Sequence, residues 1–147
     1  MFQLRGVSAY RDVKNFVDSE DKLKLLITTF REMIDKLDLV EEAIKKRDFQ
    51  RKFTELSKVE QVLQILDSSL DRSYGEISEN LSALYNYILA NLRKVHITLE
   101  ISRIEESKSL LRTILEGFEK AYEMKRRKAS SKEKGEENLK TSLEAIL

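Results

Sequence analysis

A chain of 147 residues with no cysteine and no proline suits one domain around one core. It excludes a disulfide framework, a cysteine-ligated zinc site and a thiol nucleophile. Charged residues make up 36% and apolar ones 41%, the balance of long amphipathic helices, and a net charge of +1 argues against bulk capture of nucleic acid.

Residues 1–18 carry Phe2, Leu4, Val7, Tyr10, Val13, Phe16 and Val17 without a clean period. They read as a flexible N-terminal arm. Ser19 offers a helix N-cap, and Glu20 and Asp21 complement the positive helix end. From there Leu23, Leu26, Phe30, Met33, Leu37, Val40 and Ile44 recur at steps of three and four. That spacing predicts a first helix from about Glu20 to about Lys46, roughly 40 Å long. Lys45, Lys46 and Arg47 suit its C-terminal end, and Asp48 suits the cap of the next helix.

The second helix presents Phe49, Phe53, Leu56, Val59, Leu63, Leu66 and Leu70, and Gly75 is placed to turn the chain after it. Ser73 and Glu76 have the spacing of a capping box for the third helix. That helix presents Ile77, Leu81, Leu84, Tyr85, Ile88, Leu92 and Val95, and a turn is expected near His96–Glu100. The fourth presents Ile101, Ile104, Leu111, Ile114, Leu115, Phe118 and Tyr122. The period then dissolves in the polar segment KRRKASSKEKGEEN and returns briefly at Leu139, Leu143, Ile146 and Leu147. The expected fold is all-α, an antiparallel up-down four-helix bundle over residues 19–125. A charged linker and a short C-terminal helix would fill 126–147.

Chemistry is hard to place on this pattern. Di-iron bundles need two Glu-x-x-His pairs, and the only histidine, His96, follows Arg93 at that spacing. The residues leave open a b-type haem on His96 and a methionine, but no motif asks for one. No Gly-x-x-x-x-Gly-Lys phosphate loop or nucleophile elbow is present, so neither catalysis nor a cofactor or metal is expected. The cluster Lys125–Lys128 reads first as cations at a helix C-terminus. No apolar run of about 18 residues and no signal-like h-region occurs, so membrane insertion is not expected and a cytoplasmic protein is.

A surplus of apolar side chains is more informative. Leu25, Ile27 and Leu39 on the first helix, Val62 and Ile65 on the second and Tyr87 on the third lie beside the main stripes. Wide stripes or a homodimeric bundle without a folding client would absorb them. An apolar groove for another chain's amphipathic helix would use them.

The ordered segments resemble a known family, the flagellar secretion chaperones called FliS. Tyr10 stands in the arm, and SEDKLKLLITTF follows from Ser19. AIKKRDFQRKFTELSKVEQVLQILDSSLD comes next, then GEISENLSALYNYILANLRKVHI, with its Leu-Tyr-x-Tyr segment, and LLRTILEGFEKAY closes the match. The sequence departs from the family pattern at Glu20-Asp21, Thr28 and Phe30, and it carries Phe118 where a tryptophan is usual. The resemblance implies a non-enzymatic helical bundle that binds the disordered C-terminal segment of flagellin. It also implies prevention of premature polymerisation and delivery to the flagellar type III export apparatus, whose components are then further partners. With the apolar surplus, the expected partner-binding residues are Tyr10, Leu25, Ile27, Val62, Ile65, Tyr85 and Tyr87, of which Tyr85 also belongs to the core stripe. The arm either overlies an empty groove or is a plain terminus.

Overall fold

A computed structural model of the chain describes residues 20–146, with side chains from 21 to 131. The expected arm, Tyr10 and the Ser19 cap lie outside the described residues. Four α-helices follow in order: α1 (Glu20–Lys45), α2 (Phe49–Ser68), α3 (Glu76–Thr98) and α4 (Ile101–Ile146), with a 3₁₀ turn at Arg72–Tyr74 before α3. The described residues contain no strand.

Local chemistry accounts for the helix ends. The α1–α2 link closes with Asp48 N–H donating to the Ala43 carbonyl at 2.8 Å, while Arg47 takes a left-handed φ of 56°. Asp48 then caps α2, its carboxylate accepting from the Arg51 N–H at 3.2 Å. This is the cap expected from sequence. The expected Ser73–Glu76 capping box does not form. Ser73 gives both its N–H and its hydroxyl to the Asp71 carboxylate, at 2.9 and 2.6 Å, and so belongs to the 3₁₀ turn. Gly75, at φ 64°, stands before α3 without a side-chain cap bond. Leu99 ends α3 in the left-handed region, its N–H reaching the Val95 carbonyl at 3.1 Å.

Two compact units are distinguishable, one from Thr29 to Leu115 and one combining the described residues before Thr29 with Glu116 onward. In the first, Phe30, Met33, Leu37 and Val40 of α1 are fully buried with Leu56, Val59 and Leu63 of α2, Ile88, Leu92 and Val95 of α3, and Ile104 and Leu111 of α4. Each such aliphatic side chain contributes about 1.5–3 kcal/mol on leaving water. Tyr85 joins them, its ring 6.3 Å from that of Phe30.

Polar contacts set the register between neighbours. Lys36 pairs with Glu55 across α1 and α2 at 3.7 Å. Ser82 donates to Asp67 across α2 and α3 at 2.5 Å, and His96 Nε2 meets Glu60 at the same distance. Asn91 on α3 donates to the Arg103 carbonyl and to Ser107 Oγ on α4, and Arg103 Nη1 donates back to Asn91 Oδ1. Lys108 on α4 reaches Asp38 at 2.7 Å and Glu41 at 3.1 Å on α1. Across α2 and α3 the paired positions advance in opposite directions, Asp67 with Ser82 and Glu60 with His96, and short links join successive helices, as in an up-down helical bundle.

Three sequence expectations change. Phe49, Phe53, Ile77 and Leu84 sit on the expected stripes yet are exposed, because a stripe is covered only where a neighbouring helix reaches it. Ile27, Ile34 and Ala43 are buried, so the α1 stripe is wider than a three-four seam. The segment expected as a linker is helical, since α4 runs unbroken to Ile146. Its lysines, arginines, glutamates and alanine are good helix formers, and an Arg127–Glu123 pair at 2.6 Å adds an i,i+4 contact.

Candidate partner-binding surface

Of the predicted partner-binding residues, Tyr10 lies outside the described residues and Leu25 and Ile27 belong to one unit, while Val62, Ile65, Tyr85 and Tyr87 belong to the other and do not gather on one groove there. Ile27 is 7% exposed and Tyr85 2%. Both are core side chains, and neither offers a surface. Burial, then the charge of Asp67, pushes the Tyr85 phenol up to about 12, as expected for a hydroxyl that must ionise away from water. Leu25 and Ile65 are exposed, and Val62 is half-buried. Ile65 stands about 200° around α2 from Asp67, which faces α3. It therefore points away from the third helix.

Tyr87 is half exposed and lies on the opposite, α4-facing margin of α3. Its hydroxyl donates to the Glu106 carboxylate. That hydrogen bond, and then the charge of Glu106, raises the phenol above its ordinary range and keeps the proton on Tyr87. One turn further on, Asn91 and Arg103 interlock α3 with α4. The ring is thus held in a fixed place while half of it meets solvent.

Leu84 (36% exposed) and Ile77 (68%) continue from Tyr87 along α3. Their spacings of three and seven residues put all three within about 80° of arc. Sequence reasoning found Tyr87 and assigned the other two to the core. The stripe Ile77–Leu84–Tyr87 is a ready apolar face for a second helix, which is read through i, i+3, i+4 and i+7 anchors.

A second exposed apolar group, Phe49 and Phe53, opens α2. Sequence reasoning placed it in the core, although two aromatics in the first turns of a helix, beside a basic cluster, were the available signal. His96 packs its ring 5.5 Å from that of Phe53 and is held by Glu60. Among the described residues no group of three or more histidines, cysteines and carboxylates is arranged to hold a metal ion, and no helix is long and apolar enough to cross a membrane. The arrangement can bind an apolar helix.

The family model described as flagellar protein FliS matches residues 6–125. The flagellar secretion chaperone FliS of Escherichia coli (strain K12) is 27% identical over 125 residues, covering 82% of this chain and 92% of the relative. A solved structure described as a crystal structure of a flagellar chaperone from bacteria aligns with a TM-score of 0.66 at 18% identity. It covers 78% of this chain and 98% of that one, and at such identity it speaks for the fold alone.

Proposed function

As the chain belongs to the flagellar protein FliS family, whose members are flagellar secretion chaperones rather than enzymes, we propose that it holds the disordered C-terminal segment of flagellin in the cytosol. It keeps that segment from polymerising early and delivers it to the type III export apparatus. The observation that carries this reading is the uncovered stripe of Ile77, Leu84 and Tyr87, with Tyr87 positioned by Glu106. Residues Tyr10, Leu25, Val62 and Ile65 extend the contact in this reading.

The energetics suit a reversible carrier. Ordering a disordered client costs about 1–2 kcal/mol per residue in backbone freedom. Holding a few dozen residues then needs roughly 2,000 Å² of apolar interface, worth on the order of 50 kcal/mol gross. The difference between two large terms is small, so release needs no nucleotide. The test is a titration of the purified chain with the C-terminal segment of the same organism's flagellin. One-to-one binding with a gain of helical circular dichroism supports the proposal. Absence of binding at micromolar concentration to a folded chain, or equal binding of an N-terminal flagellin segment, refutes it.

A further inference from the structure

The fourth helix is far longer than its neighbours. It has 46 residues, against 26 in α1, 20 in α2 and 23 in α3. At the helical rise that is about 70 Å beside about 40 Å for α1, so no described helix is long enough to accompany α4 to its end.

The apolar pattern of α4 nevertheless continues. Leu111, Phe118 and Tyr122 fall at steps of seven and four, and Leu139, Leu143 and Ile146 at steps of four and three. Both groups keep one heptad phase, which runs through positions 118, 122, 125, 129, 132, 136, 139, 143 and 146. Burial falls away along it: Leu111 is fully buried, Phe118, Tyr122 and Lys125 are half-buried, and Ala129 is exposed. A seven-residue phase held past the end of every neighbour is the pattern that another long helix reads. Lys125, Lys132 and Glu136 interrupt it. Charges at seam positions choose the alignment of a coil at a cost in strength.

These charges select a partner and a direction. If two copies of α4 pair in parallel, each seam residue meets itself, and Lys125, Lys132 and Glu136 all face like charge. If they pair antiparallel with position 129 opposite 132, then 125 falls opposite 136, 122 opposite 139 and 118 opposite 143. Lys125 faces Glu136, and Tyr122 and Phe118 face leucines, each pair occurring twice about the two-fold axis. Beside the seam, position 126 comes opposite 133, an arginine against a glutamate. Arg126 is exposed there, its guanidinium 5.8 Å from the Tyr122 ring centre. Sliding one copy by a heptad spoils this. One way sets Arg126 opposite Lys140 and Glu133 opposite itself, and the other sets Arg126 opposite itself.

We propose that the distal face of α4 pairs with the same face of a second copy of this chain, as an antiparallel two-helix coil over residues 118–143. Those 26 residues, counted from 118 to 143, are close to four heptads, a length at which such a coil is sustained. The apolar layers at its two ends supply the attraction, and the charged middle keeps the pairing weak and in register. No residue of α3 takes part, so the pairing is independent of the client reading.

The test is sedimentation equilibrium of the full chain over a wide range of concentration, without flagellin, with helicity and the urea midpoint followed for each variant. A reversible monomer–dimer equilibrium is expected. Lys125→Glu, Glu136→Lys and Leu139→Ser should each weaken it by about tenfold or more, and combining Lys125→Glu with Glu136→Lys should return it to within about threefold of the parent chain. Because Lys125 is half-buried, that rescue separates a lost pairing from a damaged fold. Direction is read from one spin label. The chain has no cysteine, so Ser142→Cys carries it alone. Position 142 falls opposite 119, which is 23 residues away along the helix, so the antiparallel coil separates the two labels by about 35–40 Å and a parallel one by under about 20 Å. A chain that stays monomeric at every concentration overturns the pairing, whatever else covers the face. So does a dimer that the single substitutions leave unchanged, a charge-swapped variant that is not rescued, or the short label distance.

Discussion

Tyr87 on α3 donates its hydroxyl to Glu106 on α4, one turn from the interlock of Asn91 with Arg103. The bond fixes the ring at the seam of two helices, yet the ring contributes little to the core because half of it already meets water. Tyr87→Ala is therefore expected to leave the denaturation midpoint nearly unchanged, as surface substitutions do. It should weaken the flagellin segment by about tenfold or more, in the range of an aromatic anchor. Tyr87→Phe keeps the ring and should lose much less. Calorimetric titration beside urea unfolding checks both, and unfolding of the alanine variant would place Tyr87 in the core instead.

Leu84 and Leu92 lie two turns apart on α3 and fare differently. Leu92 is fully buried, and its change to alanine should cost about 2–5 kcal/mol as a cavity. Leu84 is 36% exposed and loses less on truncation, about 1 kcal/mol, while the flagellin segment binds more weakly to it. Urea unfolding of the two variants should separate them clearly, and equal losses would contradict the burial pattern.

Lys108 gathers Asp38, Glu41 and Glu105 at 2.7, 3.1 and 3.3 Å. Burial of Lys108 works against its charge, but hydrogen bonds to the three carboxylates outweigh that and hold it above the ordinary lysine range. Glu41 is raised, first by burial and then by its hydrogen bond with Glu105. Lys108→Met leaves the carboxylates facing one another and should cost about 2 kcal/mol, under the range for fully buried pairs because Asp38 and Glu105 are half open to water. Adding Glu41→Gln should restore part of it.

The same lysine gives a pH dependence. Its folded pKa lies above its unfolded value of 10.5, so its stabilisation is full below that value and is lost as pH climbs through the folded one. Tyr85 acts in the same direction, since its folded phenol titrates at about 12 against an ordinary 10.0. Stability should therefore fall above about pH 10, less steeply in Lys108→Met than in the parent chain. Chemical unfolding across that range measures the slope, and identical slopes would remove Lys108 from the account.

Deletion of residues 2–16 tests the role given to Tyr10. The buried apolar residues of the described chain begin at Leu23, so the melting temperature should change little. Flagellin affinity should change, tightening if the deleted residues compete with the client and weakening if they contact it. Unaltered affinity would remove Tyr10 from the binding set.

The sequence alone determined the first three helices and the start of the fourth, though not its run past Lys125, because three-four spacing, the Asp48 cap, the turn before Ile101 and the absence of proline are local properties. It also determined the family, since the Leu-Tyr-x-Tyr segment and its neighbours stand in order along the chain. Which stripe residues are covered was not local. Tyr85 and Tyr87 are two residues apart, and one meets Phe30 while the other meets Glu106 and water. Phe49, Phe53, Ile77 and Leu84 continue the pattern of buried neighbours and stay exposed. Periodicity says which face a helix turns inward. How far the neighbouring helix extends decides whether that face is closed, and only the tertiary structure holds that information.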